Sequence, residues 1–166
     1  FFNKAIEEGQ EGLMVKGLDK IYKPGARIRY GVKWKPEDKD LDLVITGAEW
    51  GTGKRAGTLT SFDVSCQDNE GNLVDIGKVS GGLKEKAEEG LSYGEMTEML
   101  KGTITNEKEN HIFVKPQIIV TVQYQNIQKS PSYSSGYAMR FPRITRLRPD
   151  RTKEDVATIE EVDKLI

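Results

Sequence analysis

Three β-prone runs, residues 41–50, 59–66 and 73–79, follow one another with only two short breaks between them. Breaks of that length cannot hold the crossover that a parallel pair of strands requires. They are also built from turn residues, Gly51-Thr52-Gly53-Lys54-Arg55-Ala56-Gly57 and Asp68-Asn69-Glu70-Gly71-Asn72. The spacing therefore predicts a meander of three antiparallel strands. A fourth run, 118–124, alternates cleanly through Ile118, Val120, Val122 and Tyr124. A fifth is read at 140–148, after a Ser/Pro/Gly-rich loop at 129–137. Between the third and fourth runs the composition is helical. Gly90 and Gly94 interrupt it, and Ser92 with Glu95 three residues on has capping-box spacing, so the helix is placed at 92–101.

Three strands, a helix and two more strands are the element order of a five-stranded Greek-key barrel, the OB-fold. A short amphipathic helix is expected at 158–166, with Ile159, Val162, Leu165 and Ile166 as its apolar side. The first part of the chain reads differently. A helix end at 2–8 is stopped by Gly9, and a short strand at 13–15 precedes a turn at 22–25. A strand at 28–35 then carries Ile28, Tyr30, Val32 and Trp34 on one face and Arg27, Arg29, Lys33 and Lys35 on the other. Pro36-Glu37-Asp38-Lys39-Asp40 has no apolar residue and is read as a linker. The expected division is 1–36 and 37–166.

Hydrophobic residues make up 36% and charged residues 31%, enough apolar content for one modest core. No apolar run approaches the ~20 residues that span a bilayer, and the N-terminus lacks the pattern of a signal peptide. The expectation is a protein with no membrane partner. The one cysteine, Cys66, cannot form an internal disulfide, which fits a cytoplasmic setting. With a single histidine, His111, it also excludes a Cys/His zinc site. Cys66 reads as core and His111 as an exposed residue in a polar stretch. The chain begins with Phe1 rather than Met, and we read it as a piece of something longer.

The net charge of −1 conceals segments of opposite sign. Residues 129–153 hold seven Lys/Arg against one Asp/Glu, and residues 61–113 hold five against eleven. The basic block contains Arg140, Arg143, Arg146, Arg148 and Arg151, with Phe141, Ile144 and Leu147 as expected anchors. Arginine suits bidentate phosphate contact, so the block points to polyphosphate or nucleic acid. The acidic block reads as solvated surface. Converging cations on the 28–35 strand suit a phosphate, and Glu11 nearby could help hold a divalent ion on it. The alternative there is an ordinary polar sheet face. The 51–57 turn fails the P-loop spacing, because Gly47 lies too early and Arg55 follows Lys54. It reads as either a basic loop touching a nucleic-acid backbone or a plain β-turn.

Taken in order, four segments resemble the carboxyl-terminal part of an ATP-dependent DNA ligase of archaeal and eukaryotic type. Glu11-Gly12-Leu13-Met14-Val15-Lys16 is similar to that family's motif IV. Tyr22-Lys23-Pro24-Gly25-Ala26-Arg27 through Lys33-Trp34-Lys35 resembles its motif V region. Arg148-Pro149-Asp150-Arg151 fits motif VI. The stretches 124–131 and 135–143 resemble the archaeal branch. An mRNA-capping guanylyltransferase and a stand-alone OB single-strand binder are the alternatives.

The resemblance implies that residues 1–36 are the edge of an adenylation domain and 37–166 its OB-fold partner, swinging about 36–40. It implies ATP as the nucleotide and Mg2+ as the metal, with Lys33, Lys35, Arg148, Asp150 and Arg151 as the catalytic set. Arg27, Lys33, Lys35 and Glu11 would bind the nucleotide, and Glu11 the metal. Lys54, Arg55, Arg140 and Arg143 would bind DNA. Nicked duplex DNA is the implied partner, a sliding clamp a further one, and the whole enzyme is expected to be a monomer. The family's nucleophile lies in a K-x-D-G motif, and none occurs in this sequence. Incubation of the chain with labelled ATP is therefore expected to leave no nucleotide on it that survives denaturation. Retained covalent label would contradict that reading.

Overall fold

The computed structural model describes every residue from Phe1 to Ile166 except Ile28. The chain separates into two compact units, Phe1–Glu37 and Asp38–Ile166.

The first unit is small. Helix α1 (Phe2–Glu7) precedes strand β1 (Leu13–Lys16), which pairs antiparallel with β2 (Gly31–Trp34). Leu13 lies opposite Trp34 and Val15 opposite Val32, so these four share a face. Phe2 stacks on Trp34 with ring centroids 5.0 Å apart. The second strand is shorter than the expected 28–35. The hairpin ends where Gly17 N donates to Tyr30 O, because the chain beyond Gly17 leaves the ladder. Arg27 and Arg29 therefore precede the strand, and the expected row of four cations on one sheet face does not form. The part of that reading resting on Ile28 lies outside the described residues.

The second unit is built on one long strand. β3 (Lys39–Trp50) pairs with β4 (Leu59–Gln67) along one edge, and β4 with β5 (Leu73–Val79). These are the three strands expected from the turn spacing. Lys39 and Asp40, read as linker, belong to β3, because they pair with Tyr124 and Gln123 on the strand opposite. That strand is β8 (Ile119–Tyr124), and it takes the first half of the other edge of β3. The second half is taken by β7 (His111–Val114), which forms a hairpin with β6 (Ile104–Lys108). β11 (Arg143–Leu147) adds to β8, and a bridge from Gly81 to Arg143 brings the far end of the meander round to it. The result is the curled antiparallel sheet of a Greek-key OB-type barrel.

Alternation explains which side chains fill it. Leu43 and Ile45 point inward, and a bulge between Ile45 and Gly47 shifts the phase so that Ala48 is buried next. Phe62, Val64, Cys66, Ile76, Ile112, Val120, Val122 and Ile144 complete the interior. Val44 and Ile119 point the other way, yet they are buried too, because Val156 covers them. Helix α2 (Tyr93–Lys101) closes one end of the barrel through Tyr93, Met96 and Leu100. Its capping box between Ser92 and Glu95 is formed as the spacing predicted. A second capping box, Thr158 with Glu161, starts the short α3 (Ile159–Asp163).

The 140–148 run is not one strand. β10 (Tyr137–Arg140) pairs back with β9 (Asn126–Lys129), and Phe141 breaks the chain direction before β11. Phe141 has φ 52° and is 68% exposed, so it does not anchor the arginines as expected; Ile144, 1% exposed, does. Gly82 marks the closing point of the sheet. Its φ is +100°, and an added Cβ would lie 2.0 Å from the Ile144 carbonyl oxygen. Gly71 also has positive φ, +82°, but nothing within 4 Å. Gly82→Ala is expected to cost roughly 2–5 kcal/mol through strain and overlap together, and Gly71→Ala only about 1 kcal/mol. Urea denaturation of both variants checks the difference.

Candidate phosphate and nucleic-acid binding sites

In the second unit the arginines just after β11 meet one carboxylate from β3, Asp42, and one from their own segment, Asp150. Arg148 Nη1 donates to Asp42 Oδ2 at 2.6 Å. Its other edge is a fork on Asp150, with Nε to Oδ1 at 3.0 Å and Nη2 to Oδ2 at 2.8 Å. Arg151 Nε lies 3.2 Å from the same Asp42 oxygen. The remaining Asp42 oxygen accepts from Thr121 Oγ1 at 2.6 Å. Asp42, Thr121, Arg148 and Arg151, with the exposed Arg146, line an open cleft of about 760 Å³ between the β3–β8 edge and the C-terminal segment. The arrangement follows from the strands. Asp42 and Thr121 are register partners, and Arg148 N donates to Ile119 O just beyond the ladder.

The charges perturb one another. The Arg148 guanidinium, hydrogen-bonded to Asp150, holds that carboxyl down at about 2. Asp150 in turn raises the Arg148 guanidinium above its ordinary value. Asp42 was absent from the residues expected on sequence grounds. The only signal for it was an outward-phase acid on a β-prone strand, which becomes informative once β8 and β11 are known to lie beside it.

The first unit places Lys33, Lys35 and Glu11 together, in a shallow groove of about 190 Å³ lined also by Gly12, Leu13 and Met14. Lys35 Nζ is 3.3 Å from Glu11 Oε2. Lys33 lies opposite Met14 and has no ion-pair partner among the described residues. Arg27 is exposed and outside the strand, and the structure does not bring it into this group. No cluster of three or more His, Cys, Asp or Glu suited to a metal ion occurs among the described residues. Magnesium usually keeps several waters and takes one or two carboxylates plus substrate phosphates. Glu11 beside two lysines fits that pattern as one carboxylate of such a set, not as a complete site.

The other expected cations divide. Lys54 is exposed at the 3-10 turn Gly53–Arg55. Arg55 is committed within the unit: it pairs with Glu85, and its guanidinium carbon lies 4.6 Å from the Tyr93 ring centroid. The hydrogen bond to Glu85 raises its pKa. Arg143 pairs with Asp38 and donates from Nε to Gln123 at 2.9 Å. Arg140 lies 5.2 Å from the Phe141 ring centroid, so an exposed aromatic and a guanidinium stand together at the β10–β11 turn. His111 corrects the sequence reading. It is partly buried, its Nε2 is 2.5 Å from Asp63 Oδ2, and its ring meets Phe113 edge-on. Lys78 bonds Glu49 at 2.5 Å beside it, so this part of the acidic block is paired rather than merely solvated. Cys66 is buried as expected, and burial pushes its thiol up to about 12. No helix among the described residues is long and apolar enough to cross a membrane.

The depressed Asp150 pKa has a fixed sign. The folded value lies below the ordinary 3.8. Its contribution to stability is therefore present above about pH 4 and lost as pH falls through about 2. The Asp150 carboxyl should titrate near 2 by carbon-detected NMR, and Arg148→Met should return the midpoint toward 3.8. An unchanged midpoint in the variant would show that the fork does not form in solution.

Comparison with known proteins shows the family of the chain. Residues 55–151 match the family described as the ATP dependent DNA ligase C terminal region. The DNA ligase of Nanoarchaeum equitans is 46% identical over 168 residues, covering 99% of this chain and 30% of that protein. The DNA ligase of Thermococcus fumicolans is 45% identical over 166 residues, covering 99% of this chain and 29% of that protein. The chain thus spans under a third of the length of these relatives. Among solved structures, the ligase domain of M. tuberculosis LigD has 27% identity and a TM-score of 0.59, over 94% of this chain and 50% of that one. A Pmar-Lig structure, at 23% identity and a TM-score of 0.63 over 89% of this chain and 29% of that one, supports the fold alone. With the family match spanning more than half its length, the chain belongs to the family of ATP-dependent DNA ligase C-terminal regions.

Proposed function

We propose that this chain is the carboxyl-terminal part of an ATP-dependent DNA ligase that seals nicks in duplex DNA. The observation that carries the reading is the Arg148–Asp150–Arg151 group, held by Asp42 at the mouth of an open cleft on an OB-type barrel. In the reaction, a lysine Nζ from a K-x-D-G motif elsewhere in the protein attacks the α-phosphorus of ATP, and pyrophosphate leaves. The AMP passes to the 5′-phosphate at a nick, and the 3′-hydroxyl then displaces it. Lys33 and Lys35 stabilise charge on the α-phosphate, because ammonium groups held on a hairpin need little reorganisation. Glu11 is one carboxylate for Mg2+, which would draw electron density from the phosphate oxygens. Arg27 is assigned to the nucleotide by resemblance. Arg148 and Arg151 orient the β- and γ-phosphates during self-adenylylation, and Asp150 holds the Arg148 fork.

DNA binding falls to the second unit. Lys54 and Arg146 are exposed cations suited to phosphates. Arg140 and Phe141 form a pair of a different kind. A large aromatic held exposed at positive φ is costly, and such outliers gather where a ligand is met. Arg140 reaches phosphate while Phe141 lies against sugar or base edges in the minor groove. Arg55 and Arg143 contribute through the loops they brace, since Glu85 and Asp38 hold their guanidinium groups. Nicked duplex is the substrate, with the cytosol as its setting. A sliding clamp and a monomeric enzyme belong to the same reading.

The test is nick sealing by the full-length gene product. Lys33→Ala should lower the sealing rate about 100-fold or more while leaving affinity for nicked duplex within about threefold. Equal loss of both would remove the assigned role. Phe141→Ala should do the reverse, weakening binding to nicked duplex by about 1–2 kcal/mol without altering the rate of enzyme–AMP formation.

A further inference from the structure

Asp42 belongs to none of the motifs in the sequence, yet two of the three arginines lining the cleft, Arg148 and Arg151, converge on it. We propose that Asp42 is a positioning residue for Arg148 and Arg151, setting the direction in which their guanidinium groups meet a triphosphate. The proposal rests on the ligase reading above and adds a residue to it.

The argument is one of mobility. Asp42 sits inside β3, paired on the β8 side with Thr121, and its side chain is 12% exposed. One carboxylate oxygen is tied to Thr121 Oγ1 at 2.6 Å, and its backbone carbonyl accepts from Ala157 N at 2.9 Å. The oxygen facing Arg148 and Arg151 therefore has a fixed place relative to the barrel. Asp150 cannot do this. It is 61% exposed and two residues from Arg148, so it moves with the arginine it grips. The two carboxylates act differently on one guanidinium. Asp150 holds its Nε–Nη2 edge, and Asp42 pins Nη1 to the sheet. A guanidinium has five N–H groups. One hydrogen on each Nη remains for an anion entering the cleft. Arg151, reached through Nε, keeps an Nη for the same anion. Such a pair loses little freedom when phosphate arrives, which is how a positioning residue raises a rate.

The experiment separates two steps in the full-length gene product. Enzyme–AMP formation is followed with α-labelled ATP, and sealing is followed on a nick that already carries AMP. Asp42→Asn has one oxygen: either it stays on Thr121 and an NH2 group is turned toward the arginines, or a neutral oxygen faces the arginines and the Thr121 acceptor is lost. It should slow enzyme–AMP formation at saturating ATP about 10- to 100-fold, with sealing of the pre-adenylylated nick within about twofold. Asp42→Glu should recover part of the loss. Thr121→Val frees the pinned carboxylate without removing it, and it should slow the same step by a smaller factor. Arg148→Ala is the reference. If Arg148→Ala abolishes enzyme–AMP formation while Asp42→Asn matches or exceeds the wild-type rate, Asp42 is a spectator or a competitor for the arginines, and the proposal fails alone. If Asp42→Asn and Thr121→Val slow both steps equally, the role is structural and the proposal is overturned. If Arg148→Ala forms enzyme–AMP normally, the phosphate role of the cleft itself is wrong.

Discussion

Most of the second unit hangs on the edges of β3. A strand of twelve residues pairs with β4 along one side and divides its other side between β8 and β7. A flat strand cannot serve three partners in this way without exposing one face. The bulge between Ile45 and Gly47 adds the local twist that lets the sheet curl, and it shifts the alternation by one residue so that Ala48 follows Ile45 on the inward side. The same strand places Asp42 on the outward phase, between Leu41 and the buried Leu43. Core and cleft are thus two faces of one element, so the geometry of the arginines is tied to the packing of the barrel.

Charge in this protein works by commitment more than by field. The segment 129–153 is strongly basic by count. Its arginines are spent unevenly. Arg143 is held by Asp38, and Arg148 and Arg151 by Asp42 and Asp150, while Arg146 stays exposed. A carboxylate beside a guanidinium lowers the local potential but removes rotamer freedom from the cation. For steering DNA the first effect is a loss. For orienting a phosphate chain the second is a gain. The exposed cations and the paired ones are therefore suited to different tasks within one short stretch of chain.

Much of the architecture is legible in the sequence alone. The meander from β3 to β5, the strand at 118–124, the capping box at Ser92 and the buried Cys66 all follow from local rules. The hairpin of β6 and β7 did not, because Thr105, Asn106, Glu107 and Lys108 look like loop residues. They form a strand since β7 fills an open edge of β3 and Glu107 accepts from Trp50 Nε1 at 2.8 Å. The β9–β10 pair was hidden in the same way, its Ile127 and Met139 being buried against the barrel. His111 looked exposed because its partner Asp63 is 48 residues away.

By itself the sequence determined that this would be an antiparallel β protein with Lys33, Lys35, Arg148, Asp150 and Arg151 in a recognisable order. Turn chemistry, alternation and motif spacing are local properties, carried by a few consecutive residues. The tertiary structure alone decided which cations are held and by what. It gave Arg148 its second carboxylate, bound Arg55 to Glu85, left Arg27 outside its strand and put Phe141 in the open. Those outcomes depend on which strands lie side by side, and strand adjacency is settled by long-range pairing and core filling rather than by any residue's neighbours in the chain.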